Sequence, residues 1–248
     1  MISLPPLRTY EQQIADLPKT SLRVTAHLLP QAQIAAYDPI HLDNLLAWAV
    51  LQDVVPGGKV PNSEEPYDLP LPLDCLWRNP SGLPLWASSV FRVQGQAFAD
   101  TVYWHKRAQT GRWTFHPGKG GEPAPMPLKT TAGRFMERRV PMPTALAEDH
   151  AWVAECVGNA EEVCRLLQHV AFLGKKRGIG MGEVDYWEVE EVSGFTLLED
   201  GCLTRPVPLN AAAPLGLALS GALSLVGWTP PQWQPALFEA GWPAGTAA

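Results

Sequence analysis

Residues 172–184 read Phe-Leu-Gly-Lys-Lys-Arg-Gly-Ile-Gly-Met-Gly-Glu-Val, four glycines and three consecutive cations in thirteen positions. Upstream, Val163, Leu166, Leu167, Val170 and Ala171 recur at the helical period, and Asn159 and Glu162 are spaced as an N-cap and its N3 partner. That pattern predicts a helix over 160–172. Downstream, Val184, Tyr186, Trp187, Val189 and Val192 favour a strand over 184–192. Between the two, Gly174, Gly178, Gly180 and Gly182 permit backbone angles closed to other residues and leave space for a ligand to approach the main chain. Lys175, Lys176 and Arg177 place positive charge on that bend, which suits a phosphodiester backbone. A helix C-cap followed by a solvated basic turn is the plainer use of the same residues. The phosphate loop of nucleotide triphosphatases and the dinucleotide fingerprint both need a strand before and a helix after, so this order argues against an ATPase or a nicotinamide enzyme.

The 248 residues suffice for one substantial core, or one core with a smaller lobe, and 46% hydrophobic content argues against wholesale disorder. The formal net charge is −6, but the cations are unevenly spread. Lys106, Arg107, Arg112, Lys119, Lys129, Arg134, Arg138 and Arg139 cluster mid-chain, opposed there only by Glu122 and Glu137; with the 175–177 triplet, eleven of nineteen cations occupy two places. An acidic body with two basic patches points to directed binding of nucleic acid. Cys75, Cys156, Cys164 and Cys202 form no C-x-x-C pair and no signal pattern opens the chain, so a reduced, cytoplasmic protein is expected. The six scattered histidines make no compact ligand set, and neither metal nor cofactor is expected. The uncharged run from Pro206 to Phe238 holds six prolines, which makes it a poor membrane span and a better buried segment or subunit contact.

Taken in order, residues 1–20 read as a peripheral arm. Ser21 to Ala36 reads as a first strand, or one broken at Pro30. Asp38 and Pro39 offer a cap and first turn for a helix over 41–53, with Leu42, Leu45, Leu46, Ala49 and Val50 on its apolar face and His41 and Asp43 on its polar side as capping or packing residues. Residues 54–82 form an irregular, partly acidic insertion. Strands are expected at 83–93 and 133–140, flanking a basic insertion over about 100–140 in which glycines, cations, Trp113 and Phe115 combine phosphate contact with base stacking. Trp48, Trp86 and Trp187 are expected in the core. The resulting order is βαββαβ: an α+β fold of four antiparallel strands with helices on one face and the other face free for RNA or subunits.

Three segments together resemble a known family: D-P-I-H-L-D-N-L-L-A-W-A at 38–49, P-L-W-A-S-S-V-F at 84–91, and L-G-K-K-R-G-I-G-M-G-E-V at 173–184. They look like the small RAMP-type subunit of type IV CRISPR effector complexes, over about residues 20–195. The resemblance implies an RRM-like modified ferredoxin fold at 21–195 with a glycine-rich loop and a thumb-like insertion. It implies a noncatalytic subunit of an antiviral ribonucleoprotein that binds the guide RNA five-prime handle and caps the backbone filament. Its implied neighbours are the repeated backbone subunit and the large subunit, with target DNA reached through the assembled complex and no membrane involved. Gly174, Lys175, Lys176, Arg177, Gly178, Gly180 and Gly182 match the glycine-rich loop of the wider superfamily, and the basic region 100–140 stands where the thumb is expected. The extension 196–248 carries no family motif and is available for subunit contact.

Two other functions fit parts of the sequence. A metal-independent endoribonuclease would use His105 or His116 as general acid or base, with Lys106, Arg107 or Lys119 on the developing phosphate charge. A subunit-docking protein without RNA contact would use the acidic surface and the apolar C-terminal segment, and leaves both basic clusters without a use.

Overall fold

Thr20–Leu28 (β1) turns Leu22, Val24, Ala26 and Leu28 to one side, all buried, and Arg23, Thr25 and His27 to the other. The structure is a computed structural model that describes residues 2–30, 32–58, 65–106, 138–232 and 234–248. Two compact units divide the chain, Met1–Phe98 with Ala145–Ala248, and Ala99–Thr144.

In the larger unit the N-terminal segment departs from the expected peripheral arm. Pro5–Ile14 (α1) starts on a proline, whose missing N–H costs nothing in a first turn, and buries Leu7, Tyr10 and Ile14 in the main core at helical spacing. The expected first strand is indeed broken near Pro30: β1 ends at Leu28 and only Ile34–Ala35 (β2) resumes. Leu42–Val54 (α2) follows the expected helix closely, but His41 rather than Asp38 is its N-cap residue. Cys75–Arg78 (β3), within the region read as irregular, pairs antiparallel with Pro84–Trp86 (β4), inside the expected strand 83–93. Arg92–Val93 (β5), Ala97–Lys106 (β6), Arg138–Ala147 (β7) and Ala151–Gly158 (β8) come next, then Ala160–Leu167 (α3) and Val184–Glu191 (β9).

A four-stranded sheet in the order β5-β8-β1-β9 organises the core, with every pairing antiparallel. Along the chain its parts run β1, α2, β5, β8, α3, β9, the expected alternation. The third strand is not the expected 133–140 but β8, whose first four residues are all buried. A strand covered on both faces shows no apolar–polar alternation, so its sequence lacks the usual signature. Of 133–140, residues 133–137 lie outside the described residues and Arg138 opens β7. The expected strand 83–93 is split into β4 and β5, bridged between them at Ser88 and Val90. The fold is thus mixed α and β, with mostly antiparallel sheets and few helices.

Leu42, Leu46, Ala49 and Val50 of α2 and Val163, Leu166 and Leu167 of α3 share one core with the inward residues of β1. Each fully buried leucine there contributes roughly 1.5–3 kcal/mol. Asn159 caps α3 as its spacing predicts, its Oδ1 accepting from the Glu162 N–H at 2.9 Å.

Beyond residue 195, Leu198–Glu199 (β10) and Cys202–Leu203 (β11) form a small pair. Val207–Pro208 (β12), Leu209–Ala212 (α4), Ser224–Gly227 (β13) and Phe238–Trp242 (β14) follow, with sheet order β12-β14-β13. Their buried residues join Leu83 and Leu85 in a second core centred on Trp228, which meets Trp77 at 5.6 Å between ring centroids. Asp43 of α2 binds this region rather than facing solvent. It is fully buried, and its carboxylate lies 3.0 Å from Arg205 Nη2 and accepts from Gln232 Nε2 at 2.8 Å. Arg205 also donates to the carbonyls of Trp86, Ser88 and Trp228. Among the described residues, no helix is long and apolar enough to cross a membrane.

Candidate nucleic-acid interface

α3 stops at Leu167, five residues before the expected end, and the chain from 169 to 184 becomes a closed loop. Its two legs are joined by Leu173 N–H to Gly182 O at 2.7 Å and Val184 N–H to Ala171 O at 3.0 Å. The β2 region holds it from the side, since Lys175 N–H donates to Ala35 O at 2.7 Å and Gly182 N–H to Gln33 O at 2.9 Å. Two glycines make this closure feasible. Gly182 has φ +68° and a Cβ there would overlap the Leu173 carbonyl; Gly174 has φ +79° and a Cβ would stand 2.7 Å from Ala35 O. The close approach expected of a ligand is at these two positions made by the protein's own backbone. Gly178 has open space around it, and Gly180, at φ +80°, meets nothing nearer than a Glu183 carboxylate oxygen at 4.0 Å.

The cations sit on the outer part of this loop. Lys176 has a left-handed backbone at φ +65°, and Arg177–Ile179 makes a short 3-10 turn. Lys175 Nζ lies 4.7 Å from the Tyr37 ring centroid, while Arg177 is exposed. Beside the loop opens a cleft of about 940 Å³ lined by Lys175, Lys176 and Arg177 and by the Asn44, Trp48 and Leu51 face of α2. Trp48, expected in the core, is 37% exposed here; Trp86 is buried and Trp187 half-buried.

Among the described residues of this unit, Arg23, Arg92, Arg165 and Arg205 pair with carboxylates. Arg165 bonds Glu162 at 2.7 Å and Asp53 at 2.8 Å, and Tyr10 donates to Glu162 at 2.7 Å. The Arg165 hydrogen bond holds the Asp53 carboxyl below the usual range. For Glu162, burial acts to raise the pKa, but the hydrogen bonds from Arg165 and Tyr10 outweigh it and the carboxyl is lowered. The sheet face opposite the helices is also committed. Register places Arg23, Thr25 and His27 beside Glu190, Glu188 and Tyr186, and Arg23 beside Glu155 as well. Arg23 pairs with Glu155 at 3.1 Å, His27 with Glu188 at 3.0 Å, and Arg92 with Glu199 at 2.8 Å. The face expected to be free for RNA is therefore rich in carboxylates and a poor phosphate surface.

In the smaller unit, β6 and β7 are hydrogen-bonded neighbours. Tyr103, Trp104 and His105 on β6 and Arg138 and Arg139 on β7 are exposed, and Arg139 Cζ stands 3.7 Å over the Tyr103 ring centroid. A guanidinium on an aromatic face is a surface suited to both phosphate and base. Lys106 ends β6. Arg107, Arg112, Trp113, Phe115, Lys119, Lys129, Arg134 and His116 lie outside the described residues. Trp48, Tyr103 and Trp104 were not among the expected stacking residues. For β6 a signal existed, because Val102 to Trp104 puts bulky residues on both faces of a strand bordered by cations.

A family model described as CRISPR type IV associated protein Csf3 matches residues 20–240, reaching well past 195, where the resemblance read from motifs ended. No curated protein matches the chain. The chain belongs to the CRISPR type IV associated Csf3 family, which implies a subunit of a type IV CRISPR complex.

Proposed function

We propose that this subunit binds the five-prime handle of the guide RNA, does not cut it, and caps the backbone filament of a cytoplasmic ribonucleoprotein. The carrying observation is three consecutive cations, Lys175 and Arg177 exposed and Lys176 half-buried, on a loop whose base is closed by backbone hydrogen bonds. Such a loop offers phosphate contacts at little cost in ordering. The four-stranded order β5-β8-β1-β9 with α2 and α3 on one face supports an RRM-like modified ferredoxin fold, with the loop before its last strand. The loop and, in the smaller unit, the β6–β7 thumb each offer RNA contacts, whereas the carboxylate-rich sheet face does not. The repeated backbone subunit and the large subunit are the neighbours, and target DNA is met only through the assembled complex.

The test neutralises Lys175, Lys176 and Arg177 together and measures handle-RNA affinity across a salt series. Losing three phosphate contacts lowers affinity at low salt and reduces the slope of log K against log salt by about 2. Parent-like affinity and slope would defeat the phosphate role. In the same preparation, labelled precursor RNA remains intact with and without divalent metal. Site-specific cleavage abolished by His105→Ala/His116→Ala would instead favour a metal-independent endoribonuclease.

A further inference from the structure

Resting on that handle-binding reading, we infer that the cleft beside the glycine loop receives one splayed-out nucleotide of the bound RNA, its base stacked on Trp48 and its flanking phosphates on Lys175, Lys176 and Arg177. Trp48 is anomalous within α2: its neighbours Ala47, Ala49 and Val50 are buried, whereas its indole is 37% exposed and lines the cleft. Tryptophan is usually well covered, because leaving so large an apolar surface in water is costly. Asn44, Trp48 and Leu51 follow one another at helical spacing, so a single stripe of α2 faces the opening. A volume of about 940 Å³ is ample for one nucleotide.

Charge selects the occupant. Among the described residues, three cations line the cleft against one carboxylate, Glu65, so a polyanion is drawn to the cationic side while the apolar stripe offers nothing to phosphate. A unit joining a flat apolar ring to flanking negative charges satisfies both parts, and stacking of this kind tolerates any base. The Asn44 side-chain amide can both donate to and accept from a base edge.

The full chain and the assembled complex are tested with single-stranded RNA carrying the handle, intact or with one abasic nucleotide moved stepwise along it. Trp48→Phe keeps a ring, and Trp48→Leu keeps apolar packing without one. Intact RNA binds Trp48→Leu roughly tenfold more weakly than the parent and binds Trp48→Phe nearly as well. One abasic position costs the parent a similar factor and costs Trp48→Leu nothing further, while the salt slope is unchanged in both variants. Parent-like binding by Trp48→Leu, or an abasic penalty that persists in it at every position, overturns the inference. If Trp48→Leu binds RNA normally but fails to enter the complex, the cleft belongs to a protein neighbour and the inference again fails. Should the triplet variant lose affinity while Trp48→Leu does not, handle binding stands without this pocket; if neither loses affinity, both readings fall.

Discussion

Asp43 and Arg205 are the pair whose role the sequence concealed. On a helical projection Asp43 falls near the start of α2 and reads as a capping residue, and nothing near it announces a partner 162 positions away. Burial reverses its role: its carboxylate is held by Arg205 and Gln232, and Arg205 in turn satisfies three backbone carbonyls. Arg205→Met leaves a buried carboxylate uncompensated and is expected to cost about 3–5 kcal/mol in denaturant unfolding. Asp43→Leu/Arg205→Met should cost less than Arg205→Met alone, because no unpaired charge remains. A double variant no better than the single would deny that the charge pair is the cause. His41, at the cap of the same helix, gives a pH-dependent counterpart. Burial pushes its pKa down to about 4 from 6.5, against the pull of Asp43 and with help from Arg205. Below the unfolded value the unfolded chain takes up a proton that the folded chain refuses. Stability is therefore full above about pH 6.5 and falls as pH drops toward 4, by on the order of 3 kcal/mol. His41→Gln should flatten that window, leaving the acid loss below it to the lowered carboxyls of Asp53 and Glu162.

Among the elements, those that alternate or cap themselves were legible and those buried on both faces were not. The α3 cap at Asn159 and the apolar positions of α2 follow from spacing, and β9 from its strand-forming residues despite imperfect alternation. β8 does not, since its opening residues are buried on both sides. The glycine loop was legible as a bend but not in its division of labour, which depends on contacts with β2 far away in sequence. Gly182→Ala is expected to lose at least about 2 kcal/mol, from a left-handed backbone and overlap with the Leu173 carbonyl, and to weaken RNA binding as the loop opens. Gly178→Ala, with open space around it, should stay within about 0.5 kcal/mol of the parent and bind RNA normally. Thermal unfolding of the two variants side by side checks this, and equal losses would contradict the assignment.

At the scale of the molecule, a net charge of −6 is compatible with RNA binding because the positive charge is placed where carboxylates are few. Among the described residues, Arg23, Arg92 and Arg165 pair with carboxylates, and Arg205 is buried. The second core, built from β3, β4 and the chain beyond 195, was legible only as the Pro206–Phe238 run suited to burial or subunit contact, because its apolar residues keep no sustained period. The match to the family extends through most of it, to residue 240. The most direct measurement of the central claim is crosslinking in the assembled complex, with a photoreactive base placed at successive positions of the guide RNA and the crosslinked peptides identified by mass spectrometry. Bases in the five-prime handle should crosslink to peptides of this chain that contain residues 172–184, and bases in the rest of the guide should not. Handle bases that crosslink only to other subunits, with this chain untouched, would contradict the account.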